Sequence, residues 1–247
     1  GAVLNELIYA LMLQGKLEEA LKLNRQLLTI GTDLDYSGMQ MASYQAYYEI
    51  SRLQQNWETA TRWWNSYQQL AAKLHDERRL AKAQLFHINL LLDQNIVTDI
   101  GKKIESVQAH INKTDEKLMQ STLDVFRGRY LWLIGQKNNA IETLIAAKTL
   151  AVTLEDYESL IAANNYLAIF YLAQQKPQLA LNTLAQSETH NPFAIPYLRI
   201  KAEAELMLGK NIEALSTLTS CQKLAPELWG TQEQTLLHKV NLAIDQL

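Results

Sequence analysis

The chain has 247 residues, enough for one large domain or two small ones, and 48% of them are apolar, as in ordinary folded proteins. Gly (9) and Pro (4) are scarce, so helix-breaking residues are few and an all-α fold is expected. The formal charge of −3, with Lys and Arg scattered along the chain, argues against nucleic acid as a partner, and the lone Cys221 excludes an internal disulfide and a cysteine-ligated zinc site.

The N-terminal stretch GAVLNELIYALML lacks the cationic segment and the cleavage site of a signal peptide. No apolar run approaches the roughly 18 residues of a membrane span. We therefore expect a soluble chain, with a cytoplasmic location favoured and a periplasmic domain of a membrane-anchored regulator as the alternative. The chain begins inside an apolar helical pattern, which indicates a piece of a longer polypeptide.

Pairs of helical runs follow one another along the chain. The first members are LNELIYALML, MASYQAYYEISRL, RLAKAQLFHINLLL, STLDVFRGRYLWLI, IAANNYLAIFYLA and YLRIKAEAELML. The second members are QGKLEEALKL, QNWETATRWW, DQNIVTDIGKKIESV, QKNNAIETLI, QKPQLALNTL and GKNIEALSTL. The apolar spacing of each run is helical, so the pattern predicts six helical hairpins. The tail TQEQTLLHKVNLAIDQL is predicted to be a capping helix at 231–247.

A small residue recurs in the second helix of each pair, where two helices can approach closely only if no long side chain stands between them. Gly101 is expected to take that place in the third pair. The pattern predicts a single solenoid domain with units at 1–34, 35–75, 76–114, 115–155, 156–192 and 193–226. The recurring alanines are Ala20, Ala60, Ala140, Ala180 and Ala214.

These units resemble the tetratricopeptide repeat. The likeness is closest in ANNYLAIFYLAQQKPQLALNTLAQSETHNP, with Ala180 and the terminal Pro192, and in AEAELMLGKNIEALSTLTSCQKLAP, with Gly209, Ala214 and Pro226. The resemblance implies a right-handed α-α superhelix. Units of about 40 residues, longer than the family's usual 34, are similar to the sensor solenoids of bacterial transcription regulators.

The resemblance also implies a concave groove, lined by the first helix of each pair, that binds a protein or peptide partner. Aromatic side chains flanked by Arg and Asn suit an extended peptide. The family's groove positions correspond here to Asn5, Tyr9, Met12, Gln45, Glu49, Arg52, Phe86, Leu90, Arg129, Trp132, Asn165, Ile169, Arg199 and Glu203.

Core packing is the alternative for each aromatic residue of this set, Trp132 and Phe86 included. For the adjacent Trp63 and Trp64 of a second helix, we expect one to pack inside and the other to face outward. Cys221 is expected to be a buried structural thiol.

We expect no enzymatic activity and no cofactor, because the sequence has no phosphate-binding loop, HExxH motif or paired-cysteine site, and its five histidines are scattered. The chain is therefore interpreted as a non-enzymatic interaction domain of a larger bacterial protein. The alternative is a ligand-sensing domain of a transcription regulator or signalling protein that responds to a small molecule or peptide.

The stretch GTDLDYSG, residues 31–38, has the spacing that opens a calcium loop. Such a loop beginning at Asp33 needs a bidentate Glu at its twelfth position, where Tyr44 stands. We therefore expect no metal site here. The repeat instead predicts that Asp35, Asp76, Asp115 and Asp156 cap the helices that follow, with Glu77, Glu116 and Glu158 in their first turns.

Overall fold

The computed structural model describes residues 1–190 and 194–246, and the side chains of all of these except 189, 190, 194 and 195, so the predicted unit end at Pro192 lies outside the described residues. The described residues contain only helices and turns, which confirms the expected all-α fold. The thirteen α-helices are α1 (Ala2–Leu13), α2 (Leu17–Asp33), α3 (Ser37–Leu53), α4 (Trp57–Lys73), α5 (Glu77–Asp93), α6 (Ile100–Thr114), α7 (Lys117–Leu133), α8 (Lys137–Thr153), α9 (Tyr157–Ala173), α10 (Pro177–Leu184), α11 (Ala194–Met207), α12 (Asn211–Leu224) and α13 (Thr231–Asp245).

Consecutive helices pack against each other along the chain, which makes the fold a helical-repeat solenoid. The odd-numbered helices also contact one another, α1 with α3, α5 with α7, and α7 with α9 and α9 with α11. These odd-numbered helices are the first helices of the hairpins. The last helix, α13, packs on α12 and α11. Within the described residues, no helix combines the length and the apolar character needed to cross a bilayer.

From Gly15 to Gln175 the turns between the helices follow a 20-residue period. At each turn one residue has a positive φ, and the next residue's N–H bonds back to a carbonyl five residues earlier, as Asn56 does to Ser51 at 2.8 Å. This is the Schellman motif, which satisfies the carbonyls at a helix end. The left-handed residues on this period are Gly15, Asp35, Gln55, His75, Asn95, Asp115, Gly135, Glu155 and Gln175, and among them only Asp115 lacks the longer bond. Asp99 and Gly209 are also left-handed but lie off the period.

This period corrects the predicted alignment of the aspartates. Asp76 and Asp156 are N-caps, and each accepts a hydrogen bond from the N–H three residues on, at 2.9 and 3.1 Å. Asp35 and Asp115 stand one position earlier, in the left-handed turn, where their carboxylates do not cap the next helix. Glu116 is consequently the N-cap residue of α7 rather than part of its first turn.

The predicted alanine positions form a close-packed seam inside the hairpins. Ala20, Ala60, Ala140, Ala180 and Ala214 are all completely buried. In the fourth hairpin Gly128 faces this seam, and a Cβ added to it would lie 2.6 Å from the Cγ of Leu144. Position 128 therefore needs a residue without a side chain.

The third hairpin departs from this pattern. The 40-residue spacing from Ala60 to Ala140 places Ile100, not Gly101, at the seam, and Ile100 is completely buried. Helix α6 begins at Ile100, whereas its equivalents α4 and α8 begin at Trp57 and Lys137. The larger side chain at the seam and the delayed helix start go together, because α6 lacks the turn that would precede Ile100.

Trp63 and Trp64 are both half-buried, so the expected division into one inner and one outer ring is wrong. Trp63 stacks on Tyr47, with ring centroids 4.3 Å apart. Trp64 donates its indole N–H to the carbonyl of Ala83 at 2.9 Å and packs on the His87 ring. Both rings join α4 to neighbouring first helices.

The expected burial of Cys221 is confirmed, because only 1% of the residue is exposed. That burial raises the pKa of its thiol to about 11. The thiol is therefore protonated near neutral pH and is a poor nucleophile.

Candidate inner binding surface

The first helices bring matching positions of successive hairpins together on one side of the solenoid. Tyr9, Glu49, Asn89, Arg129 and Ile169 are spaced 40 residues apart on α1, α3, α5, α7 and α9. The hydroxyl of Tyr9 hydrogen-bonds to Glu158, so the first hairpin reaches the fifth. Such a contact requires a curved stack whose inner side carries these residues. We call the side chains there the inner surface.

An ion-pair network lies at the middle of this surface and joins three hairpins. Arg52 on α3 donates to Oδ2 of Asp93 on α5 at 2.6 Å and to Glu49 at 3.0 Å. Arg129 on α7 donates to Oδ1 of Asp93 and to Oδ1 of Asn89, both at 2.6 Å. Each guanidinium thus binds two acceptors in its fixed fork geometry, which is the strong form of this contact.

The two arginines set the charge state of the aspartate between them. Burial opposes the ionisation of Asp93, but Arg52 and Arg129 outweigh it, and the pKa of this carboxyl lies below its ordinary value. Burial likewise disfavours charge on Arg52, while Glu49 and Asp93 raise the pKa of its guanidinium well above its usual range. Arg52 and Asp93 are therefore both charged near neutral pH.

Aromatic rings flank the network on both sides. The Arg129 guanidinium lies 4.4 Å from the centroid of the Tyr166 ring on α9, a cation–π distance. Tyr48 on α3 donates its hydroxyl to the carbonyl of Phe86 at 2.6 Å. Burial raises the pKa of both tyrosines. Their hydroxyls remain neutral donors.

A second polar cluster lies where α1 approaches α9. Burial raises the pKa of Glu158, and the negative charges of Glu49 and Asp156 raise it further. Burial also lowers the pKa of Lys82, which Glu158 and Glu49 oppose. The charged groups of α3, α5 and α9 therefore influence one another in this cluster.

Most of the predicted groove residues lie on first helices and are partly accessible. Asn5, Tyr9, Gln45, Glu49, Arg52, Trp132, Ile169, Arg199 and Glu203 are partly or fully exposed, whereas Arg129 and Asn165 are more than nine-tenths buried. Within the described residues the Asn165 side-chain oxygen accepts no hydrogen bond. Trp132 stacks face to face on Phe170, with ring centroids 3.9 Å apart, so one of its faces serves packing.

Arg199 and Glu203 extend the surface toward the last helix. Together with α13 they line a groove of about 270 Å³. Arg199 pairs with Glu233 at 3.4 Å, and Glu233 also accepts the N–H of Gly230 at 3.1 Å, which caps α13.

Three predicted groove residues belong to the core instead. Met12 packs in the first hairpin, and Phe86 and Leu90 pack with Tyr48 and Tyr67; all three are at least nine-tenths buried. Phe86 and Leu90 were predicted wrongly because the register assumed for the third hairpin was shifted by one residue. The 40-residue spacing leads to Asn89 instead of Leu90, and both Phe86 and Leu90 lie in the core.

The inner-surface residues that the sequence interpretation missed are Lys82, Asn89, Asp93, Glu158 and Tyr166. Asn89 could have been found from the 40-residue spacing that links it to Glu49 and Arg129. Asp93 has no such signal, because leucines occupy the equivalent positions 53 and 133. Lys82, Glu158 and Tyr166 reach the surface through the curvature of the stack, which no local pattern reports.

The outer side carries a separate groove of about 420 Å³ between α6 and α7, at the irregular third hairpin. Its apolar lining includes Ile104, Tyr130 and Leu131. Arg127 crosses it and donates to Gln108 at 2.6 Å.

No protein-family model matches the chain, and a search of curated proteins returned no match. The resemblance to the tetratricopeptide repeat therefore stays a prediction from the sequence.

Proposed function

We propose that this chain is a non-enzymatic binding domain of the tetratricopeptide-repeat type, which takes a protein segment or an extended peptide on its inner surface. It serves as the interaction or regulatory part of a larger bacterial protein. The observation that carries the proposal is the convergence of polar and aromatic side chains from α1, α3, α5, α7 and α9 on one face of the stack.

The chemistry of this face supports a recognition role. Replacing an ion-pair network by well-packed apolar residues is often neutral or stabilising, so stability alone is a weak reason for the Arg52–Asp93–Arg129 network. Partly exposed amides such as Gln45 can bond to a peptide backbone, and the exposed face of Tyr9 can cover an apolar side chain. An extended peptide meets both kinds of group.

The test is a peptide selection followed by matched variants. The full chain is panned against a random-peptide library, and the affinity of the selected peptides is measured by calorimetry. The inner variant is Gln45→Ala with Glu203→Ala, and the control is Lys22→Ala with Glu142→Ala, which alters exposed side chains of second helices.

We expect the inner variant to weaken binding about tenfold or more and the control to leave it unchanged. Loss of affinity in the control alone would move the site to the outside of the solenoid. Failure to select any peptide that binds the wild type would remove the proposal.

A ligand-sensing domain of a transcription regulator or signalling protein is the second candidate. It is favoured by one observation, namely that Asp93 holds α3 and α7 at once, so a ligand that takes over one arginine would change the angle between hairpins. Screening a metabolite library for changes in melting temperature distinguishes the two. A small molecule whose stabilisation is abolished in Asp93→Asn would favour the sensor.

A further inference from the structure

The two ends of the solenoid contact each other. After α12 the chain forms a short 3-10 helix, Pro226–Leu228, which lies against the turn between α1 and α2. Leu228 packs on the apolar core of the first hairpin, among residues such as Leu11 and Leu17. More than 200 residues of sequence separate these groups, so the contact closes the stack into a ring.

A polar contact accompanies the apolar one. The carboxylate of Glu227 accepts the backbone N–H of Glu18 at 3.1 Å, in the first turn of α2. The N-cap residue of α2 is Lys16, whose side chain makes no capping bond. Glu227 therefore supplies from the far end of the chain the acceptor that an N-cap residue ordinarily provides, at the positive end of the helix dipole.

The α1–α2 turn is shaped for this contact. Gly15 has a φ of +70°, and a Cβ built on it would overlap the Cβ of Ala225. The glycines at the equivalent turns, Gly135 and Gly209, also have positive φ, but no atom lies within 4 Å of a Cβ built on either. Of these three turn glycines, Gly15 is the one whose absent side chain makes room for another part of the chain.

We propose that residues 225–228 form a latch that holds the solenoid in a closed ring and limits entry to the inner surface. The hydrogen bond between Tyr9 and Glu158 is a second tie across the same ring. A partner that lies along the inner surface must cross the seam between the first and last hairpins, so the latch opens to admit it. The closed ring is the autoinhibited state, and this last consequence rests on the proposed function.

The latch can be tested without any partner by measuring a distance across the seam. Spin labels are placed by Lys22→Cys on α2 and Ser220→Cys on α12, both exposed positions, in a background with Cys221→Ala. Gly15→Ala puts a methyl group into the latch contact. Gly209→Ala imposes the same left-handed backbone cost, at a φ of +73°, where the space is open. Double electron–electron resonance then compares the two.

We expect one narrow distance distribution in the wild type and in Gly209→Ala. In Gly15→Ala the ratio of longer to shorter distances should rise about tenfold over the wild type, the change expected for the loss of one weak contact. Leu228→Ser, which leaves the turn intact, should act in the same direction. Identical distributions in all variants, or a broad distribution in the wild type, would overturn the latch.

Peptide binding separates this proposal from the one on which it rests. A selected peptide should bind Gly15→Ala more tightly than Gly209→Ala, because the ring no longer has to be opened. If the distances change as expected while no peptide binds, the latch stands and the proposed function fails.

Discussion

The third and fourth hairpins show two ways of joining a pair of helices. In the fourth, Ala140 and Gly128 let α7 and α8 approach closely, and both helices begin on the 20-residue period. In the third, Ile100 fills the seam, α6 begins late, and an open groove lies on the outer side. The inner surface is continuous across both, because Asp93 on α5 binds Arg129 on α7. The repeat thus tolerates an altered second helix as long as the first helices stay in register.

Asp93→Asn should have the largest effect on stability, because it removes the carboxylate that joins the third hairpin to the second and the fourth. The variant leaves two guanidiniums without their shared charge partner, and breaking a buried ion pair typically costs about 3 to 5 kcal/mol. The free energy of unfolding in urea measures this loss. Asp124→Asn, whose carboxylate pairs within α7 alone, is the control and should cost much less.

A stability loss in Asp93→Asn no greater than in Asp124→Asn would show that the network does not couple the hairpins. The same comparison should be made at acidic pH. Because the pKa of Asp93 is lowered in the folded state, its contribution is present above the ordinary carboxyl pKa and is lost as the pH falls. The free energies of unfolding of the wild type and of Asp93→Asn should therefore converge at low pH.

The next largest effect on stability is expected for Ile100→Ala, which gives the third hairpin the alanine that the other hairpins have at the seam. We expect a loss of about 2 to 5 kcal/mol, because the backbone around Ile100 is spaced for a large side chain and a cavity remains. Chemical denaturation measures it, with the exposed Ile96→Ala as control. An unchanged or increased stability would mean that α6 can close onto α5 as α8 does onto α7.

Ala140→Leu is the reverse substitution in the fourth hairpin. Its Cβ lies in a seam where even a methyl group on Gly128 would meet Leu144, so overpacking should cost about 1 to 3 kcal/mol. The matched control is Ala146→Leu, at an exposed position of the same helix. Equal melting temperatures for the two leucine variants would contradict the assignment of the seam.

The architecture could be predicted from the sequence because each repeat is marked by residues that are close together in the chain. The alanine at the seam and the run of apolar residues before it identify each hairpin, and the expected all-α solenoid is confirmed. The third hairpin misled the interpretation because a glycine next to the seam resembled the missing small residue. The register predicted there was shifted by one residue, so Phe86 and Leu90, which lie in the core, were assigned to the groove.

The inner surface was harder to predict, because its contacts join residues far apart in the chain. Tyr9 was identified from its place in the repeat, but its partner Glu158 could be found only from the curvature of the whole stack. The same holds for Glu227 at the α1–α2 turn. Repetition predicts which face of a helix points inward, whereas ring closure depends on the sum of small angles between hairpins.

His87 gives a smaller effect that depends on pH. Burial, helped by the charge of Lys103, lowers the pKa of His87 to about 4. The unfolded chain therefore binds a proton more readily than the folded one, and stability falls as the pH drops from about 6.5 to about 4. His87→Phe keeps the ring on Trp64 and should flatten this part of the stability profile by about 1 to 2 kcal/mol, a figure reduced for partial exposure. An unchanged profile would show that His87 titrates normally in the folded chain.

The smallest expected effect is a difference between two left-handed turns, one after the first helix of the third hairpin and one after the second helix of the fourth. Glu155 ends the fourth hairpin at a φ of +54° and Asn95 ends α5 at +56°, and both side chains are exposed. The left-handed conformation costs an ordinary side chain roughly 1 to 2 kcal/mol, whereas asparagine tolerates it. Glycine removes this cost but also increases the conformational entropy of the unfolded chain, which offsets part of the gain. On balance Glu155→Gly should stabilise the chain by about 1 kcal/mol and Asn95→Gly by only a few tenths.

Urea midpoints of the two glycine variants measure this difference directly. Glu142→Gly, inside α8 at an exposed position, is the control and should destabilise, because glycine is unfavourable within a helix. Equal gains from Glu155→Gly and Asn95→Gly would show that the backbone of the irregular hairpin is strained at its turn as much as the regular one. A larger gain from Glu155→Gly would show that the two turns share one backbone conformation and that its cost depends on the side chain placed there.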